Sequence, residues 1–195
     1  MRGRMSTMGE RIVLLDEAGQ DIGTAPKAES HHGDTPFHLA FSSYLVNADG
    51  LVLLTQRAHD KRSFPSVWTN SACGHPAPGE SLRAAVTRRV KDELGLAVTD
   101  LTLVLPEFVY RAEMRGVVEH EWCPVVRGRV TGEPVRDPAE VEAFAWRDWD
   151  GVRALLDDPS ASPWFVEQMG YLVPLGSPLE WPAADPSLLP PAVLW

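Results

Sequence analysis

The segment from Gly74 to Leu96 constrains this chain more than any other. It reads G-H-P-A-P-G-E-S-L-R-A-A-V-T-R-R-V-K-D-E-L-G-L, a Gly-Pro loop running straight into a helix-forming stretch. Leu82, Val86, Val90 and Leu94 recur at i, i+4 and draw one apolar stripe, so residues 81–94 read as an amphipathic helix. Gly95 follows the last apolar residue and suits the helix C-terminus. Whatever else this chain builds must pack against that stripe.

On either side of the helix the pattern turns to strands. Residues 11–15 (RIVLL) read as a short strand, with a turn at 16–19. FHLAFSSYLV at 37–46 and LVLLTQR at 51–57 flank Asp49-Gly50, a good hairpin signal. Residues 58–79 are polar and irregular, with Pro65, Pro76 and Pro78, and read as one long loop of the functional kind. Residues 101–110 and 117–130 read as two β segments joined by a turn near Arg115-Gly116. A strand at 143–146 and short helices at 149–156 and 162–169 complete the pattern. Pro174, Pro178, Pro182, Pro186, Pro190 and Pro191 then forbid helix and interior strand, leaving an extended tail whose Leu, Trp and Val residues lie against the domain. More strands than helices, with no repeat, give one α+β domain over 1–173 and a proline-rich extension over 174–195.

Composition excludes several classes. Lys+Arg total 18 against Asp+Glu 27, a net charge of −9, so no basic face for nucleic acid or an anionic membrane is expected. No run approaches the roughly 20 apolar residues of a membrane-spanning helix. The opening MRGRMSTMGE has two arginines but no apolar stretch after them, and reads as no secretory leader. With only Cys73 and Cys123 there is no disulfide framework, and a cytoplasmic setting is expected.

Three constellations carry chemistry. His31, His32, His38 and His75, with nearby carboxylates, offer mixed N/O ligation for a divalent ion, while His59 and His120 read as bystanders. In Glu119-His120-Glu121 the period of a strand sets both carboxylates on one face, where they repel unless a cation or proton lies between them. Cys73-Gly74-His75 places a thiol beside a possible ligand; Cys123, next to Pro124 and two valines, reads as packed and inert.

The loop and helix resemble the Nudix signature G-x5-E-x7-R-E-U-x-E-E-x-G-U, where U is a bulky aliphatic. Gly74, Glu80, Arg88, Val90, Glu93, Gly95 and Leu96 fit it without a gap, while Arg89 and Asp92 stand where the signature has glutamates. With H-H-G-D-T-P-F-H-L-A-F-S-S, W-T-N-S-A-C-G-H-P and Y-R-A…E-H-E-W-C-P, the chain from about Ile12 to Met169 resembles the type I isopentenyl-diphosphate isomerases. These are Nudix-fold enzymes that interconvert isopentenyl and dimethylallyl diphosphate. The resemblance implies a Nudix-type mixed sheet flanked by helices. It implies a divalent ion, Mn²⁺ or Mg²⁺ with Zn²⁺ possible, held by His31, His38, His75, Glu119 and Glu121. A second ion, Mg²⁺ arriving with the diphosphate, would be held by Glu93 and the carbonyl of Cys73. Lys27, Arg57, Lys61 and Arg89 match the positions that neutralise phosphate.

The implied reaction is a 1,3 proton shift. Cys73 and Glu121 would form the acid–base pair, Tyr110 would assist beside Glu121, and the indole of Trp164 would face the carbocation. The alternative is a Nudix pyrophosphohydrolase, against which Arg89 and Asp92 argue. The expected partner is a small allylic or homoallylic diphosphate, not nucleic acid or membrane, with the chain a monomer or weak homodimer.

Overall fold

A computed structural model describes residues 9–195, so the opening segment read above for a leader lies, up to Met8, outside the described residues. Two mixed sheets carry the fold. One runs in the order β2 (Asp21–Pro26), β1 (Arg11–Leu15), β3 (His38–Leu39), β10 (Val117–Trp122) and β9 (Val109–Met114). The other runs β12 (Val141–Arg147), β5 (Val52–Arg57), β4 (Phe41–Val46), β11 (Val125–Val130) and β8 (Val98–Leu105). Two short strands join the second sheet, β6 (Trp68–Thr69) on β5 and β7 (Ala72–Gly74) on β4. The pairs β3–β10 and β4–β11 are parallel and the remaining pairs antiparallel.

Several sequence expectations need correction. The stretch 101–130 forms four strands, because Pro106 and Pro124 lack the N–H a continuous ladder needs. The break at Cys123-Pro124 also passes the chain from the first sheet to the second. The loop 58–79 contains β6 and β7, each too short to show a period. β2 went unread because DIGTAP carries Gly and Pro and no alternation.

The expected helix is α2 (Leu82–Leu94), following α1 (Lys27–Ser30) and preceding α3 (Trp149–Ala154) and α4 (Pro163–Leu172). Ser81 Oγ accepts from Ala84 N and caps α2, and Gly95, at φ 66°, ends it in the left-handed region. The buried face of α2 holds Leu82, Ala85, Val86, Val90 and Leu94, but also Arg89 and Glu93.

Strand β4 is buried on both faces, and its alternation assigns each residue to a layer. Phe41 and Leu45 pack with α2, whereas Tyr44 and Val46 pack with Trp164, Phe165 and Met169 of α4. Ser42 therefore points to the α4 side. The proline-rich segment lies across both layers: Trp181 packs in the α4 cluster, and Leu189 and Val193 in the α2 cluster. Its end reaches α2, where Leu82 N donates to Leu194 O at 2.8 Å and the Trp195 ring covers the Arg83 guanidinium at 4.1 Å. Among the described residues, no helix is long and apolar enough to cross a membrane.

Candidate active site

Glu80 explains how the loop is tied to the helix. It accepts from Arg88 Nε at 2.9 Å and Nη2 at 2.7 Å, and from Ala77 N at 2.8 Å. Arg88 also donates to the carbonyl of His75 at 3.2 Å, so the pair fixes where His75 sits. Gly74 is required for a different reason: a Cβ there would lie 2.8 Å from Arg89 Cγ and 3.1 Å from the Phe41 ring.

His75 meets ligands brought by the other sheet. Ring nitrogens of His31, His38 and His75 and a carboxylate oxygen of Glu121 all lie within 4.8 Å of one another. His38 Nε2 is 3.2 Å from His75 Nε2, and Glu121 Oε1 is 3.3 Å and 3.2 Å from those two atoms. Parallel pairing of β3 with β10, which registers His38 on Glu121, creates this convergence. His38 Nδ1 donates to Pro36 O at 2.8 Å, so in the neutral ring Nε2 presents its lone pair inward. Burial pushes His31 down to about 4 and His75 well below the usual imidazole range, keeping both neutral as ligands must be. Burial alone would raise Glu121, but hydrogen bonds from His38 and His75 outweigh it and hold the carboxyl low. Ligands at about 2.1 Å from one ion lie roughly 3 Å apart, as the atoms of His38, His75 and Glu121 do. The donor set therefore fits a divalent cation.

Glu119 lies outside that set of four. It is joined to it through Tyr110, whose hydroxyl is 2.9 Å from Glu119 Oε2 and 2.8 Å from Glu121 Oε2. Burial and the charge of Glu121 push the Glu119 carboxyl up. His32 does not join the cluster; its Nδ1 accepts from Asp34 N. His120 stacks on Phe37 with centroids 4.6 Å apart, on the other face of β10.

Cys73 sits on β7, across from Ser42 in register. Its Sγ is 3.3 Å from Asn70 Oδ1 and 3.5 Å from Ser42 Oγ, and burial pushes the thiol up to about 11. Trp164, fully buried, donates from Nε1 to the same Asn70 oxygen and lies 5.8 Å from the Tyr110 ring. Cys123 Sγ lies 3.4 Å from the same Ser42 Oγ, and both thiols are free.

Three of the four expected cations gather at the end of α2. Lys27 pairs with Glu10 at 2.7 Å and Lys61 with Glu140 at 2.5 Å. Arg89 bonds Glu93 through Nε and Nη2 and faces Glu140 at 3.3 Å and Glu10 at 3.7 Å. Both Arg89 nitrogens use Glu93 Oε1, so Oε2 takes no protein hydrogen bond among the described residues. Burial raises the Glu93 carboxyl; Glu140 is held low because Lys61 and Arg89 outweigh its burial. Arg57 lies apart from this network. It donates to Ser63 O at 3.0 Å and Phe64 O at 3.2 Å, with its guanidinium 5.7 Å from the Trp164 ring centroid. Phe64 and Ser66 in that loop carry positive φ, a strain Arg57 helps to hold. Glu10, Glu140, Asn70 and Ser42 were not singled out from the sequence, and no local pattern marks them.

Residues 36–168 match the family described as NUDIX domain. A Saccharopolyspora erythraea protein named isopentenyl-diphosphate Delta-isomerase is 54% identical over 95% of this chain and 97% of its own. Proteins of the same name from Mycolicibacterium vanbaalenii (54%, covering 84% of this chain and 91% of the relative) and Rhizobium rhizogenes (46%, 94% and 90%) are also similar. Among solved structures, a Deinococcus radiodurans protein superposes with TM-score 0.65 at 16% identity, over 83% of this chain and 98% of that one. A MutT protein from Methanosarcina mazei gives 0.57 at 19%, over 72% and 96%. Likeness at that identity speaks for the fold alone.

Proposed function

The chain belongs to the isopentenyl-diphosphate Delta-isomerases of the Nudix family, and from that premise we propose that Cys73 and Glu121 exchange the two protons of the allylic shift. The enzyme interconverts isopentenyl and dimethylallyl diphosphate. The observation that carries the assignment is the double engagement of Glu121: Oε1 faces the histidine cluster while Oε2 lies 2.8 Å from the Tyr110 hydroxyl. A carboxyl gripped from both sides is aimed, and proton transfer depends on aim.

An isolated alkene is a poor base, so the double bond moves only with a strong acid on one side and a base on the other. One of the pair delivers a proton, a tertiary carbocation forms, and the other removes a different proton. The Trp164 face, with Tyr110 beside it, stabilises the cation by roughly 0.5–2 kcal/mol. Excluding water matters as much, since water would trap the cation as an alcohol; Trp164, Tyr110 and Phe64 are all buried. Cys73, at a pKa near 11, reacts as a neutral thiol in its resting state.

His31, His38, His75 and Glu121, with Glu119 beside them, would hold Mn²⁺ or Mg²⁺, which would supply fixed positive charge that tunes Glu121. Glu93, through its unengaged Oε2, and the carbonyl of Cys73 would hold the Mg²⁺ that accompanies the diphosphate. Lys27, Lys61 and Arg89 exchange their carboxylate partners for phosphate oxygens, with Arg57 behind Trp164. The two free cysteines suit a cytoplasmic enzyme.

The test is incubation with isopentenyl diphosphate and Mg²⁺ in D₂O, followed by NMR. Deuterated dimethylallyl diphosphate from the wild type, and none from Cys73→Ala or Glu121→Gln, is the expected result. Near-wild-type turnover by Cys73→Ala would remove the acid–base assignment. Phosphate release in place of isomerisation would revive the hydrolase.

A further inference from the structure

The scheme above makes no use of Ser42, Tyr44 or Gln168, yet each is a polar side chain with no solvent exposure beside Cys73. They form a line. Tyr44 OH lies 2.9 Å from Gln168 Oε1, and Gln168 Nε2 lies 2.9 Å from Ser42 Oγ. Ser42 Oγ lies 3.5 Å from Cys73 Sγ and 3.4 Å from Cys123 Sγ. Gln168 is far from the other two in sequence and meets both because Ser42 and Tyr44 share the α4 face of β4.

Proton counting gives the line a direction. Among the described residues, Gln168 is the only partner of the Tyr44 hydroxyl, so with Oε1 turned toward Tyr44 that hydroxyl donates. Turning the amide over would leave the buried Tyr44 proton without an acceptor, which the observed arrangement avoids. Gln168 Nε2 then donates to Ser42 Oγ, whose own proton is left for a sulfur. Among the described residues the Cys123 thiol has Ser42 as its one hydrogen-bond partner, so its S–H donates to the second Ser42 lone pair. The Ser42 proton is thereby directed to Cys73. On the far side of Cys73, Asn70 donates through Nδ2 to Ser43 O at 3.0 Å and Ala72 O at 3.1 Å, so its Oδ1 is an acceptor, shared by Thr69 Oγ1 at 2.8 Å, Trp164 Nε1 at 3.2 Å and the Cys73 sulfur at 3.3 Å.

We propose that Ser42, aimed by Gln168 and Tyr44, is a positioning residue that donates a hydrogen bond to the Cys73 sulfur and holds it in its reacting orientation. Ser42 keeps its own proton throughout. The inference rests on the assignment of Cys73 as an acid–base group.

The experiment compares steady-state kinetics of full-length, metal-loaded Ser42→Ala, Tyr44→Phe and the double variant with isopentenyl diphosphate. Losing one hydrogen bond to sulfur lowers kcat ~10-fold in Ser42→Ala, with KM within about two-fold of wild type. Tyr44→Phe, which touches neither sulfur nor substrate, lowers kcat ~3-fold because the amide loses its orientation. The double variant matches Ser42→Ala alone, since both act through one bond. An unchanged kcat in Tyr44→Phe, losses that multiply, or KM rising as kcat falls would each overturn the proposal. Tyr44→Phe keeps the buried ring, so it decides alone should Ser42→Ala fail to fold. Cys73→Ala separates the levels. If it is inactive while Ser42→Ala and Tyr44→Phe run at wild-type rate, only the positioning inference fails. If it is active, the acid–base assignment fails first.

Discussion

Replacing Tyr110 with Phe probes the acid end of the site with little change in shape. One hydroxyl proton faces two carboxylate oxygens, at 2.9 Å on Glu119 and 2.8 Å on Glu121. A single proton cannot satisfy both oxygens at once. Burial and the neighbouring charge raise Glu119, whereas His38 and His75 hold Glu121 low despite its burial. Glu121 is thus the more strongly ionised of the two, and the Tyr110 hydroxyl donates to it. Tyr110 is kept as a neutral donor, its own ionisation pushed far up by burial and by both carboxylates.

A hydrogen bond to an ionised group is worth about 1.5–3 kcal/mol, or roughly 10- to 150-fold in rate if it acts wholly in the transition state. Glu121 is ionised in part of the cycle and neutral in the rest, so only the difference counts, and the lower end, ~10-fold in kcat, is expected. KM should stay near wild type, because Tyr110 lies at the hydrocarbon end, away from Lys27, Lys61 and Arg89. Turnover by NMR, with the metal content of each preparation measured, makes the comparison. A Tyr110→Phe enzyme with full metal content and kcat within about two-fold of wild type would refute this role for Tyr110.

The end of α2 supplies an asymmetric pair. Arg89→Met leaves Glu93, Glu140 and Glu10 facing one another and should cost about 3–5 kcal/mol in urea unfolding at pH 7. Glu93→Gln leaves Arg89 two carboxylates and should cost ~1–2 kcal/mol; equal costs would contradict the network. Glu80 has its folded pKa lowered, chiefly by Arg88, from 4.5, so its stabilisation is present above that value and lost as pH falls through the depressed one. The melting-temperature gap between wild type and Glu80→Gln should therefore close on acidification, and a constant gap would exclude the linkage. Trp181 packs edge-on against Tyr44 at 5.4 Å and Trp149 at 5.8 Å. Trp181→Ala should cost ~3–5 kcal/mol, and a loss below about 1 kcal/mol would mean the proline-rich segment is not part of the core.

What the sequence made legible was what acts locally. The stripe of α2 and its Gly95 stop each lie within one helix, and the helix formed where they placed it. The carboxylates of β10 followed from the period of two. Pairing partners were hidden, because parallel contact between β3 and β10 joins residues whose separation nothing local encodes. The same holds for Glu140, 79 residues from Lys61, and Gln168, 126 from Ser42. Reading Lys27, Lys61 and Arg89 as a cationic pocket found the cations but missed the carboxylates that hold them. A chain of net charge −9 folds this pocket by giving each cation an acidic partner that phosphate must displace.

Cys73, Gly74 and His75 gain their meaning from the alternation of one short strand. Cys73 points to the α4 side, toward Ser42 and Asn70. Gly74 faces the α2 side, where its missing Cβ lets Arg89 approach. His75 turns into the ligand cluster while its carbonyl is held by Arg88. Three consecutive residues thus tie the proton-transfer end, the diphosphate end and the histidine cluster to one backbone, so displacement of any one is felt by the other two. A side chain at Gly74 would press on Arg89 and shift both neighbours together. The first glycine of the loop is thus required by the geometry of two sites at once.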